Sequence, residues 1–341
     1  MGTNLAPVLS PVEINLENLS GKKLVIDSYN TLYQYLASIR QQDGTPLMDS
    51  KGNVTSHLSG LFFRTINMME KGMKPAFCFD GKAPELKKKE QERRRNLKEE
   101  AIANYEVAKE AQDIESMQKF AKRTGKLTTE MIAESKELIL AMGLPVIQAP
   151  SEAEAQCSYM AKKGDFYAVV SQDTDSLVFG ASRIIKNLTL SERKKIKGTF
   201  GYEKILPEEI ILADVLNRLS IDQDQLIALS MLVGTDFNIG GIKGIGAKKG
   251  LILLKKYSKD FDSLFSEAKW SEHFDYPWKE VFDLIKNMPV TDDYNLNWKS
   301  IDKEKIIDIL VTRHGFSIER IEAALEKQVK KQAQKGLGEW F

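Results

Sequence analysis

The chain has 341 residues, 42% of them hydrophobic, which is enough for one large core or two fused lobes. Its 49 basic and 48 acidic side chains leave a formal net charge of +1. That excludes a uniformly polybasic protein and requires any nucleic-acid surface to be built by segregating charge. Two cysteines (Cys78, Cys157) and three histidines (His57, His273, His314) exclude a disulfide framework, fit a reducing compartment and make a poor basis for zinc. A metal, if used, is expected to be a hard cation such as Mg²⁺ or Mn²⁺ held by carboxylates.

In chain order, residues 1–23 carry no long apolar run, so neither a signal peptide nor a membrane span is expected. Short apolar runs at 22–27, 74–80, 144–150 and 166–173 read as strands. They are apolar without alternation, as strands buried on both faces are. Helical periodicity occupies 28–40, 56–71, 128–142 and 151–163. Strands alternating with helices predict the α/β class, a central sheet containing parallel strands flanked by helices. Residues 82–125 are almost all charged, with no strand signal, and predict a solvent-facing helical insertion. After Pro207 the pattern is entirely helical, with a Gly-rich turn at 238–250 inside a helix-hairpin-helix-type element over 222–256. The expected organisation is a single domain over 1–325 and a polar, Lys/Gln-rich tail over 326–341.

Three strands end in an aspartate or reach one just beyond: Asp27, Asp80 and Asp173. In an open parallel sheet, sites form outside the carboxyl ends of the strands, so these acids are expected at one edge. Glu152 and Glu154 follow the strand at 144–150, Asp175 follows Asp173, and Asp236 precedes the Gly-rich turn. Carboxylates so close raise one another's pKa, and divalent cations remove the conflict. Two such ions about 4 Å apart can activate water and stabilise a phosphodiester's leaving oxygen. Each acid alone also reads as a helix cap or turn residue, and Ser151 with Glu154 forms an S-x-x-E capping box.

Residues 86–98, LKKKEQERRRNLK, hold seven basic and two acidic side chains just after Asp80. They read either as a solvated helix face or as cations that draw a phosphate towards the acids. In GIKGIG, Gly241, Gly244 and Gly246 allow backbone N–H groups to approach a phosphate, and Lys243, Lys248 and Lys249 add charge. Plain tight packing between helices is the alternative. The spacing matches neither nucleotide-binding glycine motif.

These residues, in this order, resemble the flap endonuclease family across nearly the whole chain. The resemblance rests on VTSHLSGLFFRTINMMEKGMKPAFCFDGKAPELK, APSEAEAQC, SQDTDSLVFG and GTDFNIGGIKGIGAKKG. It implies a saddle-shaped α/β domain with a helical arch over 82–125. It implies a nuclease that cuts 5′ flaps at single-strand/double-strand junctions with two Mg²⁺ ions, for which Mn²⁺ can substitute, with possible 5′–3′ exonuclease activity in Okazaki-fragment maturation and base excision repair. By the same resemblance Asp27, Asp80, Glu152, Glu154, Asp173, Asp175 and Asp236 are the metal ligands, with Asp173 also catalytic. Lys87 and Arg94 contact the scissile phosphate from the arch, and Arg93 and Arg95 flank Arg94. Tyr33 stacks on a base, Gly2 lies near the DNA once Met1 is removed, and the hairpin glycines hold a K⁺ ion. Thr55, Ser317 and Arg320 match a pocket for a one-nucleotide 3′ flap. The chain departs from the family at Ser28, where a small apolar residue is commoner, and at His314, where a Lys often lies near that pocket.

The last eight residues, QKGLGEWF, fit Q-x-x-h-x-x-a-a. Gln334, Leu337, Trp340 and Phe341 are therefore expected to dock on a sliding clamp, three as apolar anchors. The family's eukaryotic members continue with a Lys-rich tail, so the chain looks archaeal, and an intracellular, cytoplasmic, nucleoid-associated monomer is expected. The competing readings are a sibling 5′ nuclease acting on bubbles, gaps or Holliday junctions, a non-catalytic DNA-junction binder, and a small-molecule hydrolase or phosphatase. The basic arch and the backbone-binding turn would have no purpose in the last of these.

Overall fold

The structure, a computed structural model, describes residues 3–41, 43–189, 193–195 and 202–338. Its strands are β1 (Val12–Glu13), β2 (Lys23–Asp27), β3 (Lys74–Phe79), β4 (Val146–Gln148), β5 (Ala168–Val170), β6 (Arg183–Lys186), β7 (Arg193–Lys195), β8 (Tyr202–Lys204) and β9 (Glu208–Ile211). Seven form one sheet in the order β1-β9-β6-β5-β2-β3-β4, and β7 pairs with β8. The five strands from β6 to β4 run parallel, while β9 is antiparallel to both β6 and β1.

The helices are α1 (Ser28–Ser38), α2 (Ser56–Glu70), α3 (Lys88–Glu110), α4 (Ile114–Thr124), α5 (Thr129–Ala141), α6 (Ala153–Lys163), α7 (Asp175–Val178), α8 (Leu212–Leu219), α9 (Gln223–Val233), α10 (Ala247–Tyr257), α11 (Phe261–Glu267), α12 (Trp270–His273), α13 (Trp278–Lys286), α14 (Lys303–Ile307) and α15 (Ile318–Gly338). They cover both faces of the sheet. Because side chains alternate along a strand, Leu24 and Ile26 of β2 enter one core with α1, α2, α5 and α15. Val25 enters the other with α6, α9, α10 and α13. The expected burial on both faces is thus present. Cys78 and Cys157 are both free and buried. No described helix is long and apolar enough to cross a membrane.

The insertion between β3 and β4 is the helical pair α3 and α4, as expected. Along α3 only Glu90, Ala101 and Ala108 are buried. One expectation fails: the chain after Pro207 is not entirely helical. Glu208–Ile211 forms β9, and residues 287–302 cross the molecule without helix, where Trp298 Nε1 donates to Pro75 O at 2.9 Å and Lys299 N to Gly143 O at 2.8 Å. A four-residue EEII run has too little local signal, and its strand state comes from pairing with β6. The same reason hid β1 and β6. The helix α15 runs unbroken across residue 325, so the expected tail begins inside it.

Gly81 fixes how closely the loops after β3 and β4 approach. Its N–H donates to Ser151 O at 2.6 Å. A Cβ there would lie 2.3 Å from Ala149 O and 2.5 Å from Pro150 O, both backbone atoms. Gly81→Ala therefore has to push the two loops apart. It is expected to cost about 1–3 kcal/mol of stability in urea denaturation and to separate Asp80 from Glu152, which sit on those loops.

Candidate active site and nucleic-acid interface

From β2 the chain moves to one side of the sheet for β3 and β4, then returns to the other side for β5 and β6. The β2/β5 boundary is therefore a topological switch point, where an open α/β sheet leaves a crevice beyond its carboxyl ends. Asp27 is the last residue of β2, and Asp173 lies just past β5. Asn30 ties them together: its N–H donates to Asp27 Oδ1 at 3.2 Å and its Nδ2 to Asp173 Oδ2 at 2.7 Å. Asp27 thus caps α1, as the helix-cap reading expects, while its carboxylate also lies within the acid cluster.

Asp80 follows β3 and accepts the Ala153 N–H at 2.6 Å. The capping box expected from Ser151 and Glu154 does not form. Helix α6 starts at Ala153, Glu152 takes the cap position without a side-chain cap bond, and Ser151 Oγ donates to Lys82 O at 3.0 Å. Asp80 supplies the cap from a different strand, which leaves both Glu152 and Glu154 free of capping. On the far side, Asp175 accepts the Thr3 N–H at 2.6 Å, and Thr174 Oγ1 donates to Thr3 O at 3.1 Å. Asp236 sits in a turn closed by Thr235 Oγ1 and Asn238 Oδ1, 2.6 Å apart, and Asn238 Nδ2 donates to Met231 O at 2.7 Å.

All seven acids interact electrostatically as one cluster. Burial, then Asp80, pushes Asp27 up to about 8. Burial, then Asp175, pushes Glu154 well above the usual range. Burial raises Asp175 to about 6 against the opposing Thr3 N–H, and it also raises Asp80 and Glu152.

Two arch cations answer this charge. Lys87 Nζ bonds Glu152 and lies 3.4 Å from Asp236. Burial alone would lower its pKa, but Glu152 and Asp236 outweigh burial and raise it. Arg94 reaches Asp236 at 2.7 Å and Glu90 at 2.6 Å. Its neighbour Arg93 has Glu90 as its bonded partner, so Arg94 is the one of the pair aimed at the acids. Among the described residues no three acidic, histidine or cysteine side chains converge tightly enough to grip one ion as they stand. Lys87 occupies the space between Glu152 and Asp236. The donor set, all carboxylate oxygen with net negative charge held out of water, still fits a hard divalent cation and no softer one.

Tyr33 is 45% exposed at the foot of this cluster, where burial raises its phenol and Arg94 opposes the shift. Helices α9 and α10 flank the Gly-rich turn as a helix-hairpin-helix. Gly241, at φ 59°, is a packing glycine, since a Cβ would lie 2.3 Å from the Val233 carbonyl carbon. Gly244, at φ 81°, and Gly246 face open space, so their backbone is accessible. Lys243, Lys248 and Lys249 are exposed around them. Thr55 is buried at the start of α2. Arg320 lies over the Phe63 ring at 5.2 Å, Ser317 Oγ bonds Glu319, and His314 is clamped between Asp49 and Glu134 at 3.0 Å each. Gly2, Trp340 and Phe341 lie outside the described residues, and Gln334 and Leu337 are carried on α15. Thr3, Asn30 and Gln148, whose Nε2 donates to Asp80 O at 2.7 Å, support the acids but were not singled out from sequence. The Thr3 contact spans 172 residues, and no local pattern could announce it.

Residues 1–101 match the XPG N-terminal domain, and residues 143–236 match the XPG I-region. The fold is that of the Rad2 catalytic core solved with DNA substrate, with a TM-score of 0.66 at 24% identity over 95% of this chain and 97% of that one. These define the class as an XPG-type nuclease. Flap endonuclease-1 from Methanococcus jannaschii superposes with a TM-score of 0.76 at 40% identity, over 98% of this chain and 100% of that one. Flap endonuclease 1 of Pyrococcus abyssi is 49% identical over 344 residues, covering 100% of this chain and 98% of that protein. The chain belongs to the flap endonuclease 1 family and is a structure-specific nuclease.

The raised carboxyls set a pH dependence. A group whose folded pKa lies above its unfolded value contributes stability below the unfolded value and loses it as pH rises through the folded one. For Asp175 and Asp27 that window runs from 3.8 up to about 6 and about 8. In chelator, the melting temperature is expected to fall across this window. Millimolar Mg²⁺ is expected to flatten the fall at its upper end. A melting series from pH 4 to pH 8 with and without the ion checks both.

Proposed function

We propose that the chain hydrolyses a DNA phosphodiester where a 5′ flap meets duplex, with Asp27, Asp80, Glu152, Glu154, Asp173, Asp175 and Asp236 holding two divalent ions, Mg²⁺ or Mn²⁺. The observation that carries this reading is the acid cluster whose cationic partners among the described residues are Lys87 and Arg94, two positive charges against seven carboxyl groups. Bound ions supply an activated water and stabilisation of the leaving oxygen. Asp173, held by Asn30, would be one of the carboxylates that bind an ion. Lys87 and Arg94 exchange their carboxylate partners for the non-bridging oxygens of the scissile phosphate, and so neutralise charge that builds up in the transition state. Tyr33 offers a ring to the base beside the scissile bond. Gly2 approaches the same strand.

Around the helix-hairpin-helix, accessible backbone at Gly244 and Gly246 with Lys243, Lys248 and Lys249 holds the duplex by its phosphates, with K⁺ completing the hairpin, while Gly241 packs the turn. Thr55, Ser317 and Arg320 receive a one-nucleotide 3′ flap. Gln334, Leu337, Trp340 and Phe341 dock on a sliding clamp. The setting is Okazaki-fragment maturation and base excision repair inside the cell, by a monomer, with exonuclease action as a secondary activity. Cleavage of a labelled double flap, a 5′ overhang, a bubble and plain duplex in Mg²⁺ tests the substrate class. The double flap should be cut fastest, and preference for the bubble would point to a sibling enzyme.

Asp173→Asn should reduce single-turnover cleavage by about 100-fold or more, of the order that metal-site stabilisation supplies, with flap affinity in Ca²⁺ retained. Near wild-type turnover at saturating Mg²⁺ would remove Asp173 from the site. Deleting residues 334–341 should leave isolated flap cleavage unchanged and abolish stimulation by a clamp. Trp340→Ala with Phe341→Ala should behave alike, since buried aromatic anchors cost about 2 kcal/mol or more each. Calorimetry of the terminal peptide against the clamp gives the direct measurement.

A further inference from the structure

Asp236 stands apart from the other six acids. Those lie at strand ends or on the helices that follow them, whereas Asp236 rides on the turn inside the helix-hairpin-helix, just after α9. That turn is braced from outside the sheet by the segment between α12 and α13. Tyr276 Oη donates to Phe237 O at 2.9 Å, directly beside Asp236 in sequence. Tyr276 is itself fixed. Trp270 Nε1 donates to Tyr276 O at 2.7 Å, and the Phe274 ring packs on the Tyr276 ring at 5.6 Å. Phe237 is only 5% exposed, so its position follows whatever holds its backbone.

The same segment meets the foot of the arch. Lys89, two residues beyond Lys87, bonds Asp275 at 3.2 Å and lies 5.6 Å from the Tyr276 ring centroid. Lys87 and Arg94, from the same arch base, both end on Asp236. Asp236 is thus gripped by arch cations through its carboxylate, while Tyr276 holds the carbonyl of the next residue, Phe237. The exposed Lys89–Asp275 pair contributes little by itself. The hydroxyl bond is the stronger brace, and burial, with Asp275, pushes that phenol up to about 12, which keeps it a donor.

We infer that Tyr276 is a positioning residue that sets Asp236 for ion binding and ties its placement to the arch base. This rests on the reading of Asp236 as a metal ligand. Among the described residues no hydrogen bond joins Tyr276 to any of the seven acids; its hydroxyl goes to Phe237 O. Its effect is to hold the Phe237 carbonyl, and with it the Asp236 carboxylate, where an ion can displace Lys87.

The test uses the full chain carrying Tyr276→Phe, which keeps the ring and loses only the hydroxyl. Mn²⁺ binding without DNA, followed by calorimetry, is expected to weaken about five-fold, the size of one neutral hydrogen bond. The Mg²⁺ concentration for half-maximal single-turnover rate should rise by a similar factor, with flap affinity in Ca²⁺ unchanged. A purely structural role would lower the melting temperature and leave the ion dependence alone. That result, or wild-type ion binding, overturns the inference. Lys89→Met, which leaves Tyr276 intact, should shift the same ion readouts by less, and it decides the matter if the Phe variant does not fold. Asp236→Asn separates the two levels. Weakened Mn²⁺ binding there with none in Tyr276→Phe rejects Tyr276 alone, while unchanged binding in Asp236→Asn rejects the metal-ligand reading beneath it.

Discussion

Seven carboxylates gathered at one end of a sheet repel one another, and most of the molecule's architecture can be understood from how that repulsion is met. Burial intensifies it, since Asp27, Glu154 and Asp175 are all withdrawn from water and all shifted upward. Backbone donors relieve part of it: Asn30 for Asp27, Ala153 for Asp80 and Thr3 for Asp175. These bonds come from three separate chain regions, so the cluster also stitches the fold together. The remainder is met by Lys87 and Arg94, which reach in from the arch.

The arch suits that task because so little else holds it. Helix α3 buries only Glu90, Ala101 and Ala108, an apolar contribution too small to dock a 23-residue helix by packing. Its base is held by charge, and charge can be exchanged for a metal ion or a phosphate without rebuilding a core. Glu90 is 2% exposed and shared by Arg93 and Arg94, which keeps both guanidinium groups oriented at the rim. The acid cluster is thereby tied to the arch through Lys87 and Arg94, and Asp236, which both cations reach, belongs to the turn between α9 and α10.

Glycines in the hairpin divide the work differently from their appearance in the sequence. Gly241 is required because backbone from Val233 and Gly234 lies against it, and Gly244 because of its left-handed φ. Within GIKGIG it is Gly244 and Gly246 that leave the space in front of them open, as Gly240 does just before it. Tight packing therefore accounts for Gly241, while Gly244 and Gly246 keep the open backbone that the phosphate-binding reading requires.

The sequence by itself determined the parallel core, the helical insertion, the helix-hairpin-helix and the seven acids, because each is a local pattern: an apolar run, a charge block, a glycine spacing, or an acid at a strand end. Tertiary structure decided what depends on distant chain segments meeting. The strand β9 exists because β6 offers an edge, against the helical reading of its surroundings. Asp80, and not Ser151, caps α6, because Gly81 lets two loops come within a carbonyl's reach. Arg94 was separated from Arg93 only by the direction each side chain takes from the helix. The braces at Thr3 and Tyr276 carry no signature at all, since a hydrogen bond between residues 172 or 39 positions apart is written only in the fold.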